Sequence, residues 1–192
     1  CTEFKHELHK DPDGYEYYLN FGVYLTPAEN LCYTAMQKFK KQYGIIPNVS
    51  DRDYFTNSTH VPVWEEIDPF TKIRIEAELD KYSNAGCITY VEFDNSVQNN
   101  LEALETIVNY AMDCDLPYFA VNVPNDQCQD CGYTDLINEK CPICGGTNIR
   151  RLRRVTGYLT GDYTTAFNRG KQQEVRQRYQ HSKLIRENRY NF

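Results

Sequence analysis

No apolar run in the 192 residues approaches the length of a bilayer span, and no charged-then-apolar leader opens the sequence. Neither a helical membrane anchor nor a secretory signal is therefore expected, and the reading is a soluble, cytoplasmic protein. Internal repeats and low-complexity segments are also missing, which argues against solenoids and linker-like chains. With 41% hydrophobic residues and 14% aromatics, the chain has enough apolar surface for a real core and is not a disordered one.

Positive charge is scarce in the first three quarters. Residues 145–192 hold eleven Lys/Arg against three Asp/Glu, a net of +8, so residues 1–144 carry −14 of the overall −6. Such asymmetry marks either a basic arm for an acidic partner or a tail that packs on the acidic body of its own protein. The second reading is favoured, because an acidic body would repel a duplex.

The eight cysteines are unevenly used. Cys1, Cys32, Cys87 and Cys114 are scattered and read as reduced thiols. The other four form Cys128-x2-Cys131 and Cys141-x2-Cys144, separated by residues 132–140. Each pair presents two thiolates on one side of a tight turn, and glycines follow the pairs (Gly132; Gly145 and Gly146), permitting backbone N–H groups to turn towards sulfur. A closed S4 site for structural Zn2+ is the favoured reading; two disulfides or an iron–sulfur cluster are the alternatives. A closed site leaves no position for a reacting water, so no catalytic role is assigned to it.

In chain order, Asp11-Pro12-Asp13-Gly14 is a turn signal and Tyr15–Tyr24 reads as extended. Thr26-Pro27-Ala28-Glu29 reads as a capping box opening a helix over 27–43, stopped by Gly44. Asp68-Pro69 opens a second helix whose apolar positions Ile73, Ile75, Ala77 and Leu79 fit a helical face only roughly. His60, before it, reads as a structural histidine, since no nucleophile or metal partner accompanies it. The runs 87–93 and 116–123 read as strands flanking a helix with Leu101, Leu104, Ile107, Val108 and Met112 at helical spacing. Helix, strand, helix, strand with short connections predicts β-α-β crossovers and a largely parallel sheet. Ile149–Val155 reads as one strand with four arginines. After Val175 a basic helical run is expected to Phe192.

Taken by itself, a glycine between threonine and tyrosine is a turn. Its neighbourhood is more specific. Arg154-Val155-Thr156-Gly157-Tyr158-Leu159 follows the cysteine knuckles and precedes Phe167-Asn168-Arg169-Gly170-Lys171-Gln172-Gln173-Glu174-Val175. Together with Thr-Pro-Ala-Glu-Asn at 26–30, Phe-Thr-Asn-Ser at 55–58 and Asn-Ala-Gly-Cys-Ile-Thr-Tyr-Val-Glu at 84–92, this resembles the C-terminal portion of anaerobic (class III) ribonucleoside-triphosphate reductases, which are glycyl-radical enzymes.

The resemblance implies an α/β fold: residues 1–126 as the second half of a ten-stranded α/β barrel, 127–147 as a zinc ribbon on Cys128, Cys131, Cys141 and Cys144, and 148–192 as the radical loop and basic tail. It implies that Gly157 stores the radical, made by a radical-SAM activating enzyme with S-adenosylmethionine and an iron–sulfur cluster. The radical then passes to a cysteine thiyl that attacks the ribose of a ribonucleoside triphosphate, with formate as reductant. It further implies a homodimer of the whole enzyme, and no nucleic-acid or membrane partner. Two departures matter. Many members have cysteine before the radical glycine, where Thr156 stands here. Family chains are also several times longer, and none of Cys1, Cys32, Cys87 or Cys114 matches the thiyl position. The chain is thus expected to be inactive alone: a fragment, a split-gene product or a spare radical domain, with a leading Cys1 that splicing, processing or a cut boundary would leave. A zinc-ribbon nucleic-acid-binding module, resting on the four arginines, is the alternative.

Overall fold

The computed structural model describes residues 6–155, 158–160 and 162–182. In order the elements are β1 (Leu8–Lys10), β2 (Glu16–Tyr18), α1 (Leu31–Tyr43), α2 (Pro69–Asp80), β3 (Thr89–Glu92), α3 (Leu101–Asp113), β4 (Phe119–Asn122), β5 (Asp126–Cys128), β6 (Thr134–Asp135), β7 (Ile149–Arg150), β8 (Arg153–Val155), β9 (Tyr158–Thr160), α4 (Tyr163–Ala166) and α5 (Arg169–Gln177).

The centre of the body is one β-α-β unit. β3 and β4 run parallel, from Thr89 opposite Phe119 to Glu92 opposite Asn122, and α3 makes the crossover between them. Ile107 and Ala111 of α3 meet Val91 and Phe93, with Ile73 of α2 closing the same core. The expected parallel pairing is present on this scale. Among the described residues β3–β4 is the only parallel pair of strands, and a separate isolated parallel bridge joins Tyr24 to Gly86. The expected apolar stripe on α3 is narrower than its sequence suggests: Ile107 is buried, but Leu101 and Met112 are 70% and 68% exposed.

Local signals were answered unequally. The Asp11–Gly14 turn forms, with Gly14 at φ +88°, and it joins β1 to β2 as a small hairpin. Asp68 caps α2 by accepting from the Thr71 N–H at 3.0 Å, and Gly44, at φ +78°, ends α1. The capping box at Thr26 does not form. α1 begins at Leu31, because Glu29 is taken by tertiary partners: its backbone stands at φ +48°, its N–H reaches Asn57 Oδ1, and its carboxylate pairs with Lys171 Nζ at 2.9 Å. A long-range ion pair has displaced a local cap.

The α2 pattern has a simple explanation. Its inward face carries Lys72, Glu76 and Asp80 beside Ile73 and Ala77, so charged and apolar residues share it, while Ile75 and Leu79 face outward. Glu76, fully buried, accepts from the Val61 N–H at 2.8 Å, from Thr89 Oγ1 at 2.7 Å and from Lys72, and lies 3.1 Å from His60 Nδ1. Burial pushes this carboxyl up, but the His60 hydrogen bond and the Lys72 charge outweigh it and bring the pKa down to about 2. His60 is thus held in a polar network, as a structural histidine would be.

The basic tail packs on the body. Arg169 pairs with Asp53, Lys171 with Glu29 and Glu174, and Arg178 with Glu92 and Glu174. α5 begins before the helical run expected after Val175, and only its last two residues fall within that run. Beyond α5 the chain is used for docking: the Tyr179 N–H donates to the Val63 carbonyl and the His181 N–H to that of Glu92. Residues 183–192 lie outside the described residues. A Cβ built on Gly170 would come within 2.8 Å of the Asp53 carbonyl oxygen and of Tyr33 Cβ, so α5 seats only because this residue has no side chain. Gly170→Ala is expected to destabilise the chain by about 1–3 kcal/mol, as overpacking does, read as a lower midpoint in urea unfolding.

His181 is buried, and its Nδ1 accepts from the Glu92 N–H at 2.9 Å. Burial, then the Lys72 charge, press its pKa down to about 3, with Arg178 adding to the effect and Glu76 opposing it. The folded state therefore keeps this imidazole neutral while the unfolded chain protonates near 6.5. Its contribution to stability is complete above pH 6.5 and is lost as pH falls from there towards about 3. His181→Asn keeps an acceptor without a titrating ring. It is expected to flatten the fall in melting temperature between about pH 7 and about pH 5; an unchanged slope would locate the effect elsewhere.

Candidate metal centre and the hairpin at residue 157

β5, β6 and β7 form a three-stranded antiparallel sheet in the order β6-β5-β7, and the two knuckles close over it. Its small core is Cys128, Ile137 and Cys141. Asp126, fully buried, accepts from the Ile137 N–H at 3.0 Å and pins the strand that carries Cys128. Gly132 and Gly145 adopt φ +78° and +74°, and their N–H groups donate to the carbonyls of Cys128 and Cys141, both at 2.9 Å. These left-handed turns are what the glycines were expected to permit. A Cβ on Gly146 would clash with the Asp130 carboxylate and come within 3.2 Å of Cys144 Sγ, so Asp130 would have to swing aside to admit one.

The four sulfurs converge. All lie within 4.8 Å of one another, with Cys128–Cys144 and Cys131–Cys141 at 3.6 Å and no disulfide among them. Zn–S bonds of about 2.3 Å in a tetrahedron place sulfurs about 3.8 Å apart, so this cage suits a tetrahedral thiophilic ion. Burial pushes the Cys141 thiol up, but donation from the Cys144 and Ile143 N–H groups more than offsets it and holds the thiol down at about 7. Cys32, Cys87 and Cys114 are unpaired thiols away from this centre.

The segment 149–155 is split, not one strand. β7 belongs to the ribbon sheet, whereas β8 starts a separate antiparallel hairpin with β9, pairing Arg153 with Thr160, Arg154 with Leu159 and Val155 with Tyr158. Between them Arg151 turns aside and donates to the Asn138 carbonyl. Thr156 and Gly157 lie outside the described residues. What is described is the frame on either side: β8 and β9 bring Val155 and Tyr158 into register around the two positions.

That frame is fastened to the body at Arg154. Its Nε and Nη2 donate to the Tyr90 hydroxyl at 3.3 and 3.1 Å, and its guanidinium lies 5.3 Å from the Tyr90 ring centroid. Asn122 Nδ2 donates to the Arg154 carbonyl at 3.2 Å and to Glu92 Oε2 at 2.7 Å. Tyr90 and Glu92 are on β3 and Asn122 on β4, so both parallel strands hold the hairpin. Sequence reasoning found Arg154 but missed Tyr90 and Asn122, whose contacts span 64 and 32 positions. Two of the four arginines behind the nucleic-acid reading, Arg151 and Arg154, already have partners in the chain.

Fold and site together define a class: an α/β body with a parallel strand pair, a four-cysteine ribbon inserted after it, and a hairpin carried back onto those strands. The sequence profile of the anaerobic ribonucleoside-triphosphate reductases matches residues 12–181, and the chain belongs to that family. It is 38% identical over 180 residues to the anaerobic ribonucleoside-triphosphate reductase of Salmonella typhimurium, covering 90% of this chain and 24% of that protein. The phage T4 protein of the same name is 40% identical over 169 residues, covering 84% and 28%. Among solved structures, an anaerobic ribonucleotide reductase superposes with a TM-score of 0.63 at 26% identity, over 84% of this chain and 25% of the other. The Thermotoga maritima enzyme with dATP bound in its specificity site gives 0.57 at 26% identity, over 78% and 23%. The chain thus spans about a quarter of the relatives it matches. No helix among the described residues is long and apolar enough to cross a membrane.

Proposed function

We propose that this chain is the radical-bearing part of an anaerobic ribonucleoside-triphosphate reductase, with Gly157 as the radical store. The observation that carries the reading is the hairpin β8–β9. It brackets position 157 and is tied by Arg154, Tyr90 and Asn122 to the strands of an α/β body.

A Cα radical is stabilised when its electron spreads into the flanking amides, which needs a planar centre, and a Cβ would crowd that plane. Hence glycine. A radical-SAM activase, using S-adenosylmethionine and an iron–sulfur cluster, removes the hydrogen atom. This chain's own residues hold the site: Arg154, Val155, Thr156, Tyr158 and Leu159 form the loop, and β3 and β4 orient it. The thiyl cysteine and most of the ribonucleoside-triphosphate site belong to the remainder of the reductase, with formate as reductant and the whole enzyme as a cytoplasmic homodimer. In this reading residues 1–126 complete an α/β barrel with that remainder, and 148–192 form the loop and tail. Cys128, Cys131, Cys141 and Cys144, within 127–147, hold a structural Zn2+, which supplies crosslinking and no chemistry.

The test is anaerobic activation of the chain, with the remainder of the reductase, by a reducing radical-SAM activase. A doublet EPR signal, followed by cleavage at residue 157 when air is admitted, is the expected result. Silence on both counts, with an activase proven on another substrate, would sink the reading.

A further inference from the structure

A second site lies on the other side of the hairpin anchor and is independent of the radical reading. Where β4, the ribbon, β8 and α5 meet, a cavity of about 150 Å³ opens between Arg154, Arg176, Arg178 and Gln180 on one hand and Asn138 of the ribbon on the other. We propose that it is a binding site for a phosphate-class oxyanion.

Its donors are arranged for one. Arg178 has only 12% of its side chain exposed; its two terminal nitrogens are spent on Glu92 and Glu174, but its buried Nε–H has no partner among the described residues. The buried Nε2 of Gln180 also has none. Both nitrogens belong to residues that line the cavity, and an unspent buried donor carries a desolvation cost that a small turn of the side chain towards an acceptor there would remove. Arg176 is exposed at the rim, and among the described residues its only hydrogen bond is a long one of 3.5 Å to Gln172. Arg154 supplies a third guanidinium.

The charge balance favours an anion. Among the described residues three guanidiniums face two carboxylates, Glu92 lining the cavity and Glu174 behind Arg178. Both oxygens of Glu92 are occupied, one by Arg178 and one by Asn122 Nδ2. Planar guanidinium forks with an amide beside them match tetrahedral oxyanions, and the volume admits one such group but not a whole nucleotide. Only the phosphoryl end of a larger ligand would enter.

The test uses the zinc-loaded full chain and isothermal titration with orthophosphate and, separately, with a nucleoside triphosphate, in a chloride buffer. One saturable site is expected, weakened about tenfold or more in Arg176→Gln and in Gln180→Leu. Melting temperature and zinc content should be unchanged in Arg176→Gln, whose side chain carries no packing. Equal affinity for the two probes would make free phosphate the ligand. A triphosphate preference lost in both variants would make it the end of a nucleotide. No saturable binding of either probe, or binding that ignores both substitutions, would overturn the site.

Discussion

Cys141→Ser is expected to reduce tightly bound zinc from about one equivalent per chain to nearly none and to unfold the ribbon. With zinc as the proposed ligand, metal binding and ribbon folding should be one event. The knuckles enclose a core of Cys128, Ile137 and Cys141, with partly buried Tyr133 and Ile149 against it, too small to hold three short strands together without the crosslink. Structural zinc sites supply on the order of 10–16 kcal/mol, and losing one thiolate ligand forfeits most of it. The body should survive, since its core of Ile73, Val91, Phe93, Ile107 and Ala111 shares no residue with the ribbon. Metal analysis and amide exchange check both halves. Exchange protection lost at 126–150 but kept in α2 and α3 is the expected pattern. A Cys141→Ser chain that still holds one zinc would refute a four-thiolate site.

Gly157→Ala is expected to abolish the radical entirely. Given the same activase and the remainder of the reductase, the variant should give no doublet signal, no fragment on exposure to air and no deoxynucleotide. Zinc content and melting temperature should remain those of the parent. The loss follows from the chemistry of the centre: an added Cβ hinders hydrogen removal and crowds the plane over which the electron spreads. A stored radical in this variant, cleaved by oxygen at the same place, would move the store to another residue.

Much of this was legible in the sequence, and the parts that were not share a physical cause. The cysteine spacing was readable because knuckle geometry is local: two residues between thiolates and a glycine behind them determine the turn, and Gly132 and Gly145 adopt it. The same holds for the Asp68 cap and the Gly44 stop. The misreadings arise where partners far along the chain decide. The Thr26 capping box lost to Lys171, 142 positions past Glu29, which took the carboxylate the box needed. The rough apolar face of α2 hid a face of Lys72, Glu76 and Asp80 at helical spacing, which becomes sensible only once His60, Val61 and Thr89 are seen around it. Tyr90 and Asn122 looked like ordinary strand residues until the hairpin returned to them. The nucleic-acid reading loses ground for the same reason, since Arg151 and Arg154 are engaged inside the chain.

The bond from Asn122 to Arg154 has a topological meaning. Thirty-two positions separate its partners, yet they touch, so everything from Pro124 to Leu152 is a detour that leaves the body and returns to its starting point. A chain of that length left loose would resist having its ends brought together, by a few kcal/mol of lost freedom. An ion held by the four thiolates, as proposed above, would shorten the loose part in advance. It would work as a drawstring: fastened at the far end of the detour, it keeps the β8–β9 hairpin on the body without touching it.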